Sequence, residues 1–373
     1  MNKLNDNTVP QVSTVDLIAL ISVPQIGNTR AMELINTFGS TKELFSAPAR
    51  ELSKSINLPL EVGKGIVEAD KDRDKFEKLV SKAKSDQINI VTYWDDNYPK
   101  RLKSIPNPPA LLYIRGQASP LYDYAVAMVG TRAASSHGKN IALRIASQLA
   151  KAGITIVSGM ALGIDSASHV GALRAGGRTI AVLGCGTNVI YPPSNRKIYD
   201  QIVQQGAIIS EYPPDTTPET HHFPQRNRII SGLSLGVIII EAGLKSGALI
   251  TADLASEQGR EVFAVPGQAG MRWTAGTNNL IRQGVPLVET ADEVVEHLKS
   301  QLAPITNISA SLILPDMSEE EDKIYQLLEN GPRLIDELIR ETKLNALGMN
   351  RLLTSLQLKG VIQQLPGARV GRS

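Results

Sequence analysis

A chain of 373 residues exceeds the usual size of one compact domain, so two or three domains are expected. The formal net charge of +2 excludes a strongly basic protein, and any nucleic-acid contact must come from local clustering of cations. A single cysteine, Cys185, excludes an internal disulfide framework and a cysteine-ligated metal centre, and no apolar run approaches the ~20 residues of a membrane-spanning helix.

The N-terminal MNKLNDNTVP has no signal-peptide apolar core, which with the lone cysteine leads us to expect a soluble cytoplasmic protein. Residues 14–69 carry helical periodicity without strand-like runs. In LIALISVPQIGNTRAMELINTFGS an apolar helix ends at Val23, Pro24 stops it and Gly27 turns the chain. A second helix follows over 29–38, closed by Gly39 as a C-cap. This spacing resembles a helix-hairpin-helix or SAM-like unit, whose P-x-I-G hairpin presents backbone amides to a phosphate; a small helical interaction module that touches no DNA is the alternative. SINLPLEVGKGIVEA, from Ser55, reads as a degenerate second copy. A highly charged helix over 71–86 reads as a solvated connector.

The middle of the chain changes character. INIVTYW, AVAMVG, ITIVSG, TIAVLG, AIISEY, GVIIIEAG and EVFAVPG are short apolar runs rich in β-branched residues. Helical stretches over 137–152, 166–175, 194–205 and 246–258 lie between several of them. Continuous apolar strands alternating with helices predict an α/β fold with a parallel sheet covered on both faces. Ligands then bind outside the carboxyl ends of the strands. Residues 301–317 read as a linker. From Ser318, three amphipathic helices and a terminal hairpin give the pattern of a winged-helix domain. Its recognition helix, 346–359, has only Arg351 and Lys359 as cations, which is thin for groove binding and suits docking at least as well. The expected layout is a helical domain over 1–75, an extended Rossmann-like domain over 76–300, the linker, and a winged helix over 318–373.

The turns after the strands carry the chemistry. In VGTRAASSHGKN, Gly130 lets a backbone approach, Thr131 and Ser135 offer hydroxyls, Arg132 offers a forked cation, and the next helix points its positive end at the same spot. In SGMALGIDSASH, from Ser158, Gly159 and Gly163 bracket a second turn. Asp165 is placed as an N-cap, with His169 one helical turn on as an orienting partner. HHFPQRNRIISGLS packs Arg226, Asn227 and Arg228 into one turn behind the flat ring of Phe223, a set suited to gripping a phosphodiester backbone while a base stacks. An arginine pair bridging across a sheet edge is the alternative. EAGLKSGALITA, from Glu241, brings Lys245, Ser246 and Gly247 to another helix start, with Glu241 the one carboxylate nearby. GTNNLIRQG, from Gly276, adds Arg282. GCGTNVIYPPSN lacks the third glycine of a dinucleotide fingerprint, Val189 standing there. There is no Walker loop, no H-E-x-x-H, no carboxylate cluster for a divalent metal and no nucleophile elbow. Phosphate-type turns without hydrolytic machinery predict binding rather than turnover, with neither cofactor nor metal.

Taken together, V-G-T-R, S-G-x-A-x-G-I-D-x-x-x-H, H-F-P-x-R-N-R-I-I-S-G-L-S, E-A-x-x-x-S-G-x-L-I-T-A and V-F-A-V-P-G, in this order over about residues 88–297, resemble the DNA-processing protein A (DprA/Smf) family. The resemblance implies a dimeric, extended Rossmann-like protein that binds single-stranded DNA without sequence preference, protects incoming DNA in natural transformation and helps load a RecA-type recombinase. It implies that Arg132 and the Gly130 turn hold phosphates and that Phe223 stacks on a base. Arg226, Asn227, Arg228, Lys245 and Ser246 would line the same groove. The chain departs from the pattern at Thr220, where some members carry lysine; His221 and His222 would substitute in part. A Rossmann-like phosphoribohydrolase is the second reading, weakened because EAGLKSGALITA lacks that class's paired glycines. A duplex-DNA regulator acting through the winged helix is the third.

Overall fold

The structure, a computed structural model, describes residues 10–117, 123–302, 317–328, 331–342, 344–359, 361–365 and 367–372. The linker reading over 301–317 falls almost wholly outside the described residues. The chain forms two compact units, residues 1–307 and 308–373.

The first unit opens with six helices: α1 (Thr14–Ile21), α2 (Asn28–Phe38), α3 (Thr41–Ser46), α4 (Ala49–Ser55), α5 (Leu60–Lys71) and α6 (Arg73–Ser85). Gly39 ends α2 as expected, at φ +78°, its amide donating to the Ile35 carbonyl at 2.8 Å. The helix read as a solvated connector does more than connect. Phe76 and Ala83 of α6 are buried in a core with Leu17, Leu20, Ile35 and Ile66. That core also takes in Ala110, Leu111 and Tyr113 beside the sheet, so the helical layer and the sheet edge share one apolar interior.

The sheet has eight strands: β1 (Ile88–Thr92), β2 (Leu111–Gly116), β3 (Ala125–Val129), β4 (Thr155–Ser158), β5 (Thr179–Leu183), β6 (Ala207–Ser210), β7 (Gly236–Ile239) and β8 (Glu261–Ala264), in the order β1-β2-β6-β5-β4-β3-β7-β8. From β6 to β8 all pairs are parallel; β2 runs antiparallel to β6, and β1 antiparallel to β2. Helices α7 (Lys100–Lys103), α8 (Ser136–Lys151), α9 (Ile164–Arg174), α10 (Arg196–Gln205), α11 (His222–Leu233), α12 (Gly247–Glu257), α13 (Ala275–Arg282), α14 (Ala291–His297) and α15 (Lys299–Leu302) connect or follow the strands. β3 and β5 are buried at every position because both faces are covered. Ile180 and Val182 share one core with Ile229 and Leu233 of α11 and Ala252 of α12, while Ala181 and Leu183 share another with Leu173 of α9 and Ile202 of α10.

Two expectations need correction. The apolar run LLYIRG is a strand, β2, which was not among the expected strands; it follows Pro108 and Pro109, and no crossover helix follows it among the described residues. The segment HHFPQRNRIISGLS is not a turn but the helix α11. Pro224 is its third residue, within the first turn, where a missing amide donor is tolerated. Arg226, Ile229, Ile230 and Leu233, at i, i+3, i+4 and i+7, form its buried face.

The second unit contains α16 (Glu319–Leu327), β9 (Arg333–Leu334), α17 (Ile335–Thr342), α18 (Ala346–Leu358), β10 (Ile362–Leu365) and β11 (Arg369–Arg372). The strands form one sheet ordered β10-β11-β9, over a core that includes Ile324, Leu338, Leu353 and Val370. This is the winged-helix pattern expected from the sequence.

Candidate nucleic-acid interface

Strands β3 to β6 are added in one direction across the sheet, and the chain then returns to place β7 on the other side of β3. The topological switch therefore lies between β3 and β7, and a crevice opens at their carboxyl ends. A cleft of about 580 Å³ occupies it. The turn after β3 contributes Gly130, Thr131 and Arg132. The turn after β4 contributes Ala161, and the start of α9 contributes Asp165. Thr220, Phe223, Arg226 and Asn227 come from α11 and its approach, and Ser246, Gly247 and Thr251 from α12. Four separate sequence blocks thus meet around one opening.

At its mouth the Arg132 guanidinium lies 5.2 Å from the centroid of the Phe223 ring, a cation–π contact. Tyr191 stacks against Phe223 at 5.7 Å and 29° and is 41% exposed. Sequence reasoning missed Tyr191 because GCGTNVIYPPSN was weighed only as a dinucleotide fingerprint. An aromatic followed by two prolines in a loop at a strand's carboxyl end was the available signal. Of the two cations that line the cleft, Arg132 and Arg226, only Arg132 is exposed.

Arg226 has a different place from the one expected. It is 4% exposed, and its Nη1 donates to the carbonyls of Gly159, at 2.8 Å, and Val182. Asp165 lies close enough to interact with it electrostatically. Burial pushes the Asp165 carboxyl up, opposed first by the Arg226 charge and then by the amides of Ala161 and Gly159, which donate at 3.3 and 3.1 Å. With two amides and a guanidinium facing it, the carboxylate has the partners an ionised group needs. Asp165 is the second residue of α9 rather than its N-cap, which is Gly163. His169 is buried and its recorded partner is Thr179 rather than Asp165: Nδ1 lies 2.7 Å from the Thr179 hydroxyl, and burial and then Arg226 push its pKa down to about 3.

Arg228 faces away from the cleft, toward the helical layer. Nε donates to the Asn107 carbonyl at 2.9 Å, Nη2 lies 2.5 Å from the Glu211 carboxylate, and that carboxylate also accepts from Asn28 of α2 at 2.7 Å. Asn227 lines the cleft, with Nδ2 3.5 Å from the Gly247 carbonyl, and Lys245 stands exposed on the turn before α12 without lining it.

The glycines of the turns serve close packing of the protein on itself. A Cβ on Gly130 would stand 2.5 Å from Ile164, and one on Gly159 would stand 2.6 Å from the Arg226 guanidinium. Gly163 has φ +82°, and its Cβ would meet the Thr131 carbonyl at 2.3 Å. Ser158 is fully buried, its hydroxyl donating to the Met128 carbonyl at 2.6 Å. The start of α8 is likewise filled from within. Ser135 caps it through Gly138 N at 2.9 Å, and the buried Glu241 carboxylate accepts from Ser135 N at 2.8 Å. The α8 end is therefore not the open anion site the sequence suggested. The start of α12 is open instead: Ser246 caps it, and beside the exposed Gly247 there is free space.

His221 and His222 also divide. His221 is exposed, 3.4 Å from Glu219, whereas His222 is 7% exposed, with Nδ1 3.0 Å from the Gly184 carbonyl and its ring stacked on Tyr212. His222 therefore does not reach the cleft as a replacement for the lysine of some family members.

An open α/β sheet with a cation and aromatic rings at its switch point, joined to a winged helix, defines a class of doubly wound ligand-binding proteins. The family model for DNA recombination-mediator protein A matches residues 89–299, and that for the DprA winged helix domain matches residues 309–368. The chain belongs to the DNA recombination-mediator protein A (DprA/Smf) family. Among its relatives, Protein Smf of a Synechocystis species is 36% identical over 317 residues, 76% of this chain and 80% of that one. The X-ray structure of DNA processing protein A from Streptococcus pneumoniae superposes with a TM-score of 0.68 at 32% identity, covering 77% of this chain and 98% of that one. A structure of DNA processing protein A from Helicobacter pylori, described for its single-stranded DNA binding mode, matches at 34% identity and TM-score 0.52 over 57% of this chain and 96% of that one.

Proposed function

We propose that this protein binds single-stranded DNA without sequence preference along the cleft at the carboxyl ends of β3 and β7. It acts without catalysis, as a homodimeric cytoplasmic mediator that shields the strand and passes it to a RecA-type recombinase during transformation and recombination. The observation that carries the reading is the exposed Arg132 guanidinium against the Phe223 ring, with the exposed Tyr191 ring beside it. A forked cation for phosphate next to aromatic surface for bases holds a single strand whatever its sequence. The Helicobacter pylori relative's single-strand binding supports the same reading. The hydrolase alternative loses its candidate base, because the Glu241 carboxylate is buried and holds the start of α8.

In fluorescence anisotropy with labelled oligo-dT across a salt series, the wild type should prefer the single strand to the matching duplex. Arg132→Ala should bind every sequence more weakly, with the log-log salt slope shallower by about 0.7 for one lost phosphate contact. An unchanged slope and affinity in that variant would remove Arg132 from the site.

A further inference from the structure

Residues 219–222 lead into α11 at the lip of the cleft. Thr220 lines the cleft, and Glu219, His221 and His222 flank it on either side. One ligand-type atom from each of these three lies within 4.8 Å of the others. The three differ in freedom. His222 is anchored by the Gly184 carbonyl at 3.0 Å and by the Tyr212 ring, whose centroid is 3.9 Å from its own. A carbonyl only accepts, so Nδ1 is the donor in that contact, which leaves Nε2 as the ring atom that can ligate an ion. An imidazole whose second nitrogen is held by a carbonyl is the usual arrangement of a metal-ligating histidine. His221 and Glu219 have side chains 64% and 53% exposed, free to turn onto an ion without moving the backbone.

We infer that Glu219, His221 and His222 form a binding site for a divalent transition-metal ion of the zinc type. Two imidazoles and one carboxylate suit zinc, whereas magnesium and calcium favour all-oxygen sets. Three protein ligands leave a fourth position open. Thr220, which lines the cleft, lies between Glu219 and His221 in the chain, so an ion held there adds two positive charges at this lip of the cleft, available to a phosphate oxygen of a bound strand. This second step rests on the single-strand reading; the metal site itself does not.

The test uses the untagged full-length chain, stripped with chelator and titrated with zinc chloride in a calorimeter without DNA. The wild type should take up one zinc per chain and show no comparable binding of magnesium. His221→Ala and Glu219→Gln, both exposed substitutions, should weaken uptake at least tenfold. No uptake, or uptake in His221→Ala equal to wild type, overturns the site. Oligo-dT anisotropy with and without zinc then tests the phosphate contact: zinc should tighten wild-type binding severalfold and leave His221→Ala unchanged. Zinc uptake with no change in DNA affinity overturns that contact. Absence of oligo-dT binding with and without zinc overturns the single-strand reading, and the calorimetry still decides the metal site.

Discussion

Arg132 and Arg226 show how environment divides one side chain between two tasks. Both line the same cleft, but Arg132 is exposed, as the proposed phosphate contact requires, whereas Arg226 is buried among carbonyls and near a carboxylate. Removing one member of a buried pair leaves the other charge uncompensated, at a cost of about 3–5 kcal/mol. Arg226→Met should therefore destabilise the first unit by that order in urea unfolding, followed through Trp94 and Trp273, both of which lie in it. Adding Asp165→Asn should restore part of the loss, because the stranded carboxylate is gone. A single variant as stable as the wild type would refute the brace.

At the scale of elements, α9 carries a second buried group. The Thr179 hydroxyl donates to the Ile156 carbonyl at 2.7 Å, so it accepts from His169 Nδ1–H, and Nε2 is left without a partner in the interior. The folded-state pKa is lowered, from 6.5 to about 3, so the ring stays neutral in the folded protein while the unfolded chain takes up a proton. Stability should then fall as pH drops from about 6.5 toward 3. His169→Gln should flatten that fall in urea midpoints measured against pH, and an unaltered profile would sink the assignment. The strands of the parallel region were legible because two-sided burial writes continuous β-branched runs. β2 was not, because LLYIRG pairs antiparallel, outside the strand–helix alternation of the parallel region. In α11 the polar stretch HHFPQRNR hid a helix whose period is carried by Arg226, Ile229, Ile230 and Leu233. That period places Arg226 inside, so its burial was readable, whereas Arg228's turn toward Glu211 and Asn28 depends on a long-range neighbour that the sequence does not reveal. The meeting of the turns at one cleft followed from the strand pattern, while the glycines' partners, Ile164, Arg226 and Thr131, emerge only in three dimensions.

For the whole molecule, the two units differ in what their charges do. In the winged helix, Lys359 Nζ lies 2.6 Å from the Glu321 carboxylate, which also accepts from the Ser355 hydroxyl and the Ser318 amide. One of the two cations of the expected recognition helix is thereby engaged within its own unit. These partners, Lys359 first, hold Glu321 down to about 2. A lowered carboxylate pKa stabilises above the unfolded value of 4.5, and that contribution is lost as pH falls through about 2. Glu321→Gln should loosen this unit at neutral pH and remove its acid sensitivity over that window. Hydrogen exchange resolved to residues 318–372 would measure it, and equal protection in variant and wild type would contradict it.

The cross-bracing of the cleft has a kinetic meaning. Arg226 ties the turn after β4 and the end of β5 to α11, and the Gly163 turn packs against the carbonyls of Thr131 and Arg132. On the proposed single-strand reading, the receptor side is assembled before any strand arrives, and the ordering entropy of association would fall on the flexible polymer alone. Under that reading capture would be governed by encounter and charge attraction rather than by loop closure, and the lifetime of the complex would be the quantity that the proposed handover has to shorten.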